Sequence, residues 1–266
     1  MNSTTETTTG LAAESGHWYA SDGSPAYEIA AKNGSMRPVT LRDARKLNLF
    51  PSVTGILRCA AAPGLERWKV EQGMLACLTL PRLDGEDDSA FMKRALEDSR
   101  QQARKAAELG TTLHAQIERS FSGPCDVEWW DYVKPVRAWL DQQFGNTEWC
   151  AERSFAHSFG YGGKVDLFSR DHGGIVIDFK SKDFPDPDAV KAYDEHGIQL
   201  AAYAVGLGLT LEEVPQRWNV FVSTRVPGLI KAVPWEFTTF QRHWQMFSSL
   251  LSYWKADKGY TPGGAE

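Results

Sequence analysis

The sequence predicts an α/β (α+β) protein with a central mixed β-sheet that is flanked by helices. Three short segments in the second half of the chain, residues 162–168, 174–182 and 217–224, are rich in Val, Ile and Phe, which is typical of strands. Two longer segments, 89–119 and 238–258, repeat apolar residues at intervals of three and four and predict helices. With 266 residues, of which 42% are hydrophobic, the chain can bury a sizeable core as one main domain.

The N-terminal part of the chain predicts only small elements. Residues 1–16 are rich in Ser and Thr and carry almost no large apolar groups, so we expect a disordered tail there. Residues 17–50 predict a β-hairpin, with the turn signal Asp22–Gly23, followed by a short helix at 41–48. We expect the remaining residues, 51–266, to form one domain with helical insertions.

The segments between the hairpin and the sheet predict helices. The first, at 51–58, has Ser52 or Thr54 as a suitable N-cap, and the second spans 65–80. The long helical segment that follows contains Gly110, at which we expect it to divide into two helices.

Further elements surround the apolar strands. Residues 127–144 predict a helix that Pro135 kinks or divides, and residues 149–157 alternate as the first strand of the sheet. After the central strands, the sequence predicts a helix at 189–207 and a last strand at 231–237.

Charged residues interrupt two of the apolar strands. Asp178 and Lys180 lie two positions apart, so both project from one face of their strand, whereas Ile177 and Phe179 project from the other. Asp166 lies on the preceding strand. Clustered carboxylates repel each other and resist desolvation. A divalent metal resolves this conflict, because carboxylate oxygens hold it while the lysine positions a water or an anion. The pattern therefore indicates a metal site.

Four sequence elements follow one another along the chain: G-T-T-L-H at 110–114, Asp166, D-x-K at Asp178 and Lys180, and Q-x-x-x-Y at Gln199 and Tyr203. In this order and spacing they resemble the RecB-type (phage exonuclease-like) branch of the PD-(D/E)XK nuclease superfamily. The resemblance covers residues 52–224. Val165 stands where the name of the superfamily has a proline, a departure that this branch tolerates.

The resemblance implies a restriction-endonuclease-like core with a helical N-terminal elaboration, so that the domain would be a nuclease. It implies that Asp166, Asp178 and Lys180 are catalytic. His114, the two aspartates and the backbone carbonyl of Phe179 would bind Mg²⁺ or Mn²⁺. Lys180 would orient a water or stabilise the transition state. The residues that the resemblance places against the substrate are Ser52, Thr54, Ser181, Gln199 and Tyr203.

Several of these residues also have an ordinary interpretation. His114 is a metal ligand by resemblance, although a single histidine on a helix commonly has only a packing role. Glu118 either orients His114 or faces solvent, and Glu152 either polarises the site or forms an ordinary ion pair. Ser52 and Thr54 are either plain N-caps or contacts to a DNA phosphate.

The charge distribution leaves the nature of the partner open. The net charge of −5 counts against a nucleic-acid partner, but a nuclease needs only a local basic strip. The long helical segment carries a candidate strip that is either a solvated face or a rail for the nucleic-acid backbone. Its members are Lys93, Arg94, Arg100, Arg104 and Lys105.

The expected function is that of a Mg²⁺- or Mn²⁺-dependent deoxyribonuclease. The first hypothesis is an exonuclease of phage or prophage DNA recombination, repair or processing. A structure-specific or single-strand endonuclease is the alternative within the same chemistry. An alternative of another class is a catalytically inactive DNA-binding or assembly module. The expected partners are linear double- or single-stranded DNA, together with a recombinase or a single-strand-binding protein.

Other features of the sequence argue against further classes. No apolar run reaches the roughly 18 residues of a membrane span, and the N-terminus lacks a signal segment. We therefore expect no membrane partner and a location in the cytoplasm of a bacterial host cell. The four cysteines include no C-x-x-C pair, which argues against a zinc ribbon or a disulfide scaffold. Some RecB-type nucleases carry an iron–sulfur cluster on cysteines near the C-terminus, and because no cysteine follows Cys150 here, we expect no such cluster. The sequence leaves the oligomeric state open.

Overall fold

A computed structural model describes residues 17–61, 63–210, 212–213 and 215–263 of the chain. The predicted disordered tail, residues 1–16, lies outside this part. The described elements, in chain order, are β1 (Trp18–Tyr19), β2 (Glu28–Ala30), β3 (Met36–Pro38), α1 (Leu41–Leu47), β4 (Phe50–Pro51), α2 (Val53–Leu57), α3 (Pro63–Thr79), α4 (Asp88–Arg119), α5 (Trp130–Phe144), β5 (Cys150–His157), β6 (Tyr161–Ser169), β7 (Ile175–Lys182), α6 (Asp194–Gly206), β8 (Gln216–Ser223), β9 (Ile230–Pro234) and α7 (Phe240–Lys258).

Five strands form the central sheet in the order β5-β6-β7-β8-β9. Every neighbouring pair is antiparallel except β7 and β8, which run parallel and are connected through α6. A parallel pair requires a crossover of this kind, because a tight turn cannot join its strands. The sheet is therefore mixed, as the strand pattern predicts.

Helices cover both faces of the sheet, which confirms the predicted flanked arrangement. On one face, α4 and α5 bury their apolar residues together with Leu167, Ile177 and Val220 of the sheet. On the other face, α2, α6 and α7 form a second core with Val165 and Val176. Because both faces are covered, each strand contains a short apolar run that is buried on both faces, Ile175–Ile177 in β7 and Val220–Val222 in β8. No helix within the described ranges has the length and apolar character of a membrane span.

The N-terminal strands pair differently from the prediction. The chain does turn at Asp22–Gly23, where Gly23 has a φ of +85°, and an antiparallel bridge, Tyr19↔Pro25, joins β1 to the segment after the turn. The longer pairing of β1 is with β4, and a second hairpin is formed by β2 and β3. The predicted hairpin is therefore present, but only as a single bridge. Trp18 and Tyr19 are both buried, and this burial draws β1 towards the main core.

The two predicted helix breaks do not occur. The helix α4 continues through Gly110, which is buried where the helix crosses β7, and a Cβ at this position would collide with the Ser181 hydroxyl. Gly110 therefore permits close approach rather than ending the helix. The helix α5 likewise continues through Pro135, because its apolar face, with Val133 and Val136 fully buried, packs on the sheet.

The helix after β7 starts later than predicted. Residues 187–189 form a single 3₁₀ turn and Val190 is buried in extended backbone, where it packs with Phe184 and Phe221. The helix α6 begins only at Asp194. The loop is therefore tied to the sheet by its own small apolar cluster, which local periodicity does not predict.

We expect Gly110→Ala to destabilise the protein, although alanine normally favours a helix interior. The added methyl group would meet the Ser181 hydroxyl and force α4 and β7 apart, so the free energy of unfolding should fall by about 1–3 kcal/mol. Urea denaturation of Gly110→Ala, Ser181→Ala and the double variant measures this. The double variant should recover most of the loss; equal losses in both backgrounds would contradict the packing role.

Candidate active site

The strands β6 and β7 separate at the candidate site. Their pairing ends at Leu167↔Ile177, and the next positions, Asp166 and Asp178, are not paired. The Phe179 N–H donates to Asp166 Oδ2 at 2.7 Å, so a carboxylate replaces a strand carbonyl as the acceptor. Because the N–H and C=O of one strand residue point to the same side, the Phe179 carbonyl also points into this gap. The gap therefore contains oxygen atoms of the Asp166 carboxylate and of the Phe179 carbonyl, which can act as metal ligands.

A chain of hydrogen bonds holds the ammonium group of Lys180. Its Nζ lies 2.8 Å from Asp178 Oδ2 and donates to Gln199 Oε1 at 3.0 Å. The Gln199 amide in turn donates from Nε2 to the Tyr203 hydroxyl at 2.9 Å. The strand β7 and the helix α6 therefore bring Asp178, Lys180, Gln199 and Tyr203 together, although 25 positions separate the first of these residues from the last.

Lys180 fixes the orientation of the Gln199 amide. Lys180 can only donate hydrogen bonds, so the amide oxygen must face it and the amide nitrogen must face Tyr203. Burial, and then the negative charge of Asp178, raises the pKa of the Tyr203 hydroxyl well above its usual range. The phenol therefore stays protonated at neutral pH and acts as a neutral hydrogen-bonding group.

Two residues of the site, the buried Asn219 and the half-buried Trp235, have no counterpart in the sequence-based prediction. Asn219, which is opposite Asp178 in the parallel pair β7–β8, donates from Nδ2 to Asp178 Oδ2 at 2.8 Å. Trp235 Nε1 donates to Asn219 Oδ1 at 2.7 Å and so fixes that amide. The only sequence signal of Asn219 is a polar residue between the apolar residues Trp218 and Val220. Its partner becomes evident only from the register of β7 and β8.

His114 approaches the gap from the α4 side. Its Nδ1 lies 3.7 Å from Asp166 Oδ2, which is too long for a hydrogen bond. Burial lowers the pKa of His114, against the opposing influence of Asp178. Burial also raises the pKa of Asp166, and the negative charge of Asp178 raises it further. The imidazole is therefore neutral at pH 7, and the negative charge of Asp178 disfavours the ionised form of Asp166.

The donor groups at the gap fit a divalent cation in their chemistry. Neutral imidazole, carboxylate and carbonyl oxygens are ligands that Mg²⁺ or Mn²⁺ accepts, and a cation would relieve the repulsion between Asp166 and Asp178. Among the described residues, however, no three His, Cys, Asp or Glu side chains are grouped closely enough to hold an ion. Lys180, rather than a ligand cluster, neutralises Asp178.

A cleft of about 760 Å³ leads from the surface to this site. Lys180 and Gln199 line one wall, together with His196 one helical turn before Gln199. Thr54, at the start of α2, also lines the cleft. His196 was not predicted; burial, and then the charge of Lys180, lowers its pKa to about 4, so its ring is neutral at pH 7.

Ser52 and Ser181 have structural contacts instead of facing the cleft. Ser52 is buried and its Oγ accepts from the Gly55 N–H at 2.9 Å, which makes it the N-cap of α2 and confirms the plain-cap interpretation. Ser181 lies on the α4 face of β7, against Gly110. Side chains alternate along a strand, so Lys180 projects from the opposite face.

The two glutamates that were expected to support the site do not contact the residues they would support. Glu118 is exposed, and none of the described residues forms a hydrogen bond or an ion pair with its side chain. Glu152 has an unusual positive φ of 54° and pairs with Lys164 on the neighbouring strand. Its carboxylate is therefore neutralised beside the site.

The basic residues of α4 are largely paired with acids of the same region. Arg94 binds Glu86 at 2.8 Å, and Arg104 binds Glu97 at 2.6 Å, with Arg100 at 3.9 Å from the same glutamate. This pairing favours the interpretation of a solvated face over that of a rail for nucleic acid.

Comparisons with known proteins add little. No protein-family model and no curated protein matches the chain, whereas 15 chains of solved structures do. One of them, SSO0001, known from a crystal structure, is 17% identical, with a TM-score of 0.26. The match covers 43% of this chain and 55% of SSO0001, so the chain spans only about half the length of that protein. A likeness this low establishes neither fold nor function.

We expect Asp166→Asn to stabilise the metal-free protein. Asparagine can still accept from the Phe179 N–H but carries no charge. Because the folded-state pKa of Asp166 is raised, its stabilising protonated form is lost as pH rises through that pKa. The increase in the free energy of unfolding should therefore be small at pH 4.5 and reach about 1–3 kcal/mol at pH 8. Urea denaturation in EDTA tests this, with Asp183→Asn, an exposed residue outside the site, as the control. A gain that shrank with rising pH would contradict it.

We expect Asn219→Ala to lower the free energy of unfolding by about 1–3 kcal/mol, because it removes a donor from the buried carboxylate of Asp178. Thermal or urea denaturation measures the loss. The same substitution in an Asp178→Ala background should have a smaller effect. Equal effects in both backgrounds would show that Asn219 acts through packing alone.

Proposed function

We propose that the chain is a metal-dependent deoxyribonuclease that hydrolyses phosphodiester bonds, and that its sheet and helices form a restriction-endonuclease-like core. The observation that carries the proposal is the arrangement of Lys180 between Asp178 and Gln199, beside Asp166 in the gap between β6 and β7. The repulsion between the neighbouring carboxylates Asp166 and Asp178 supports the proposal, because unfavourable electrostatics of this kind are typical of functional sites.

The positive charge of Lys180 suits the chemistry of phosphodiester hydrolysis. The reaction builds negative charge on the phosphate oxygens, and an ammonium group held in a fixed position stabilises that charge without reorganisation. Gln199 and Tyr203 keep the ammonium at the cleft. Lys180 therefore neutralises the transition state, and Thr54, which also lines the cleft, contacts the DNA backbone.

The acidic groups complete the proposed site. His114, Asp166, Asp178 and the Phe179 carbonyl are the groups that would hold Mg²⁺ or Mn²⁺, which when bound lowers the pKa of a water and polarises the phosphate. Asp178 is oriented by Asn219 and Asp166 by the Phe179 N–H. These hydrogen bonds fix the orientation of both carboxylates.

A second candidate function is a catalytically inactive DNA-binding or assembly module. The absence of a grouped set of metal-ligating side chains in the described residues favours it, as does the internal pairing of Lys180 with Asp178. Such a protein would bind DNA without hydrolysing it.

The decisive assay uses end-labelled linear DNA and closed circular DNA with Mg²⁺, Mn²⁺ or EDTA. An exonuclease, which the resemblance favours, degrades linear DNA and leaves closed circles intact. An endonuclease nicks or linearises the circles. No cleavage of either DNA by pure protein in either metal would reject the nuclease and favour the inactive module.

We expect Lys180→Ala to reduce turnover about 10²- to 10³-fold, because it removes the charge that stabilises the transition state. Binding of metal and DNA should remain largely intact in calorimetry and fluorescence anisotropy. The matched control is Lys182→Ala, two residues further on the same strand and face, which should retain activity close to that of the wild type. A loss of binding as large as the loss of turnover would contradict the assigned role.

A further inference from the structure

The helices α3 and α4 form a hairpin whose own core is small. Its buried apolar residues are Ala76 on α3 with Phe91 and Ala95 on α4. Only the C-terminal part of α4 reaches the central sheet, where Leu113 and Ile117 are buried. Most of α3 therefore has no covering element among the described residues.

One face of this hairpin is apolar and exposed. We call the following five residues the hairpin patch: Val70 (60% exposed), Met74 (61%), Leu78 (83%), Met92 (55%) and Leu96 (52%). Together they expose on the order of 500 Å² of apolar surface, as much as the largest patch of a typical monomer. A standard interface buries roughly 800 Å² per partner, so the patch supplies much of the surface area that such an interface needs.

The shape of the hairpin patch is complementary to itself. Its large side chains border a groove of about 600 Å³, and the groove also contains Gly73, Cys77 and Ala95, which are small. The surface thus carries both protruding residues and spaces for them. Under a two-fold axis, the protruding residues of one copy can enter the groove of the other.

Several of the charges around the hairpin patch are paired within the hairpin. The pairs are Lys69–Glu66 at 3.0 Å, Arg82–Asp88 at 2.7 Å and Arg94–Glu86 at 2.8 Å. Residues 72–79 of α3, and Leu80 directly after the helix, carry no charge. A strongly charged partner, or an anionic membrane surface, would therefore form few ion pairs with this surface. An uncharged apolar surface, such as the patch of a second copy, can instead pack against it.

We infer that the hairpin patch binds the same patch of a second copy of the chain, so that two α3–α4 hairpins form a four-helix contact. This contact is independent of the proposed nuclease activity. The cleft is bordered by the N-terminal end of α3, at Leu65 and Lys69, whereas Met74, Leu78, Met92 and Leu96 lie outside the cleft lining. Lys69 lines both the cleft and the groove of the patch, so the two regions adjoin there, whereas Lys180 and Gln199 lie outside the groove.

The first test is the oligomeric state of the full chain in EDTA, measured by sedimentation velocity between about 1 and 100 µM. The wild type should sediment as a dimer at the upper end of this range. Leu78→Glu on α3 and Met92→Glu on α4 each place a charge in the contact and should weaken the dimer at least about tenfold. The matched control is Leu47→Glu on α1, whose leucine is 53% exposed outside the patch.

The second test uses the native thiols. Cys77 lies in the groove and Cys150 lies on β5, and both are exposed. The rate of maleimide labelling of Cys77 should fall as the protein concentration rises, whereas the rate for Cys150 should stay constant. In Leu78→Glu, labelling of Cys77 should no longer depend on concentration.

Three results would overturn the inference: a wild type that is monomeric over the whole range, a dimer that both glutamate variants leave intact, or Cys77 labelling that is independent of concentration in a dimeric wild type. Circular dichroism establishes that each variant is folded. If one glutamate variant fails to fold, the other, on the facing helix, tests the same contact.

Discussion

The burial of Asp178 is the constraint on which the site depends. This residue is only 3% exposed, and a carboxylate at such a position requires hydrogen bonds or a cation to offset its desolvation. Lys180 and Asn219 supply them. Each of these partners is itself buried or half-buried and needs a partner of its own, which leads to Gln199 and Trp235. One charged group therefore determines the polar network between β7, β8 and α6.

The separation of β6 from β7 is the second constraint, and it opens the site to both faces of the sheet. A continuous ladder would place Asp166 and Asp178 directly opposite each other as like charges. Instead the pairing ends one position earlier, and Asp166 accepts from the Phe179 N–H. His114 then approaches from one face and Lys180 lies on the other. The close approach of α4, which Gly110 permits, is what brings His114 there.

The fold divides its surface into two regions with different physical character. The cleft combines polar groups of shifted pKa with the strand gap, which suits a charged substrate. The hairpin patch is apolar and bordered by internally paired charges, which suits a neutral protein surface. The two regions meet along α3, whose N-terminal end borders the cleft and whose C-terminal half carries the patch. Binding at the patch can thus hold α3 in place beside the cleft.

The sequence by itself predicted the sheet, most of its strands and the long helices, because these elements depend on local periodicity within one segment of the chain. The placement of charges on predicted strands indicated Asp166, Asp178 and Lys180 as candidate site residues, and the family resemblance added Gln199 and Tyr203. Only the tertiary structure decided the rest. The pairing of β1 with β4, the continuity of α4 through its glycine, and the contacts of Asn219 and Trp235 depend on the register of segments that are remote in sequence, up to 41 positions apart for Asn219 and Asp178. Such contacts depend on which surfaces are buried together, and no local pattern specifies that.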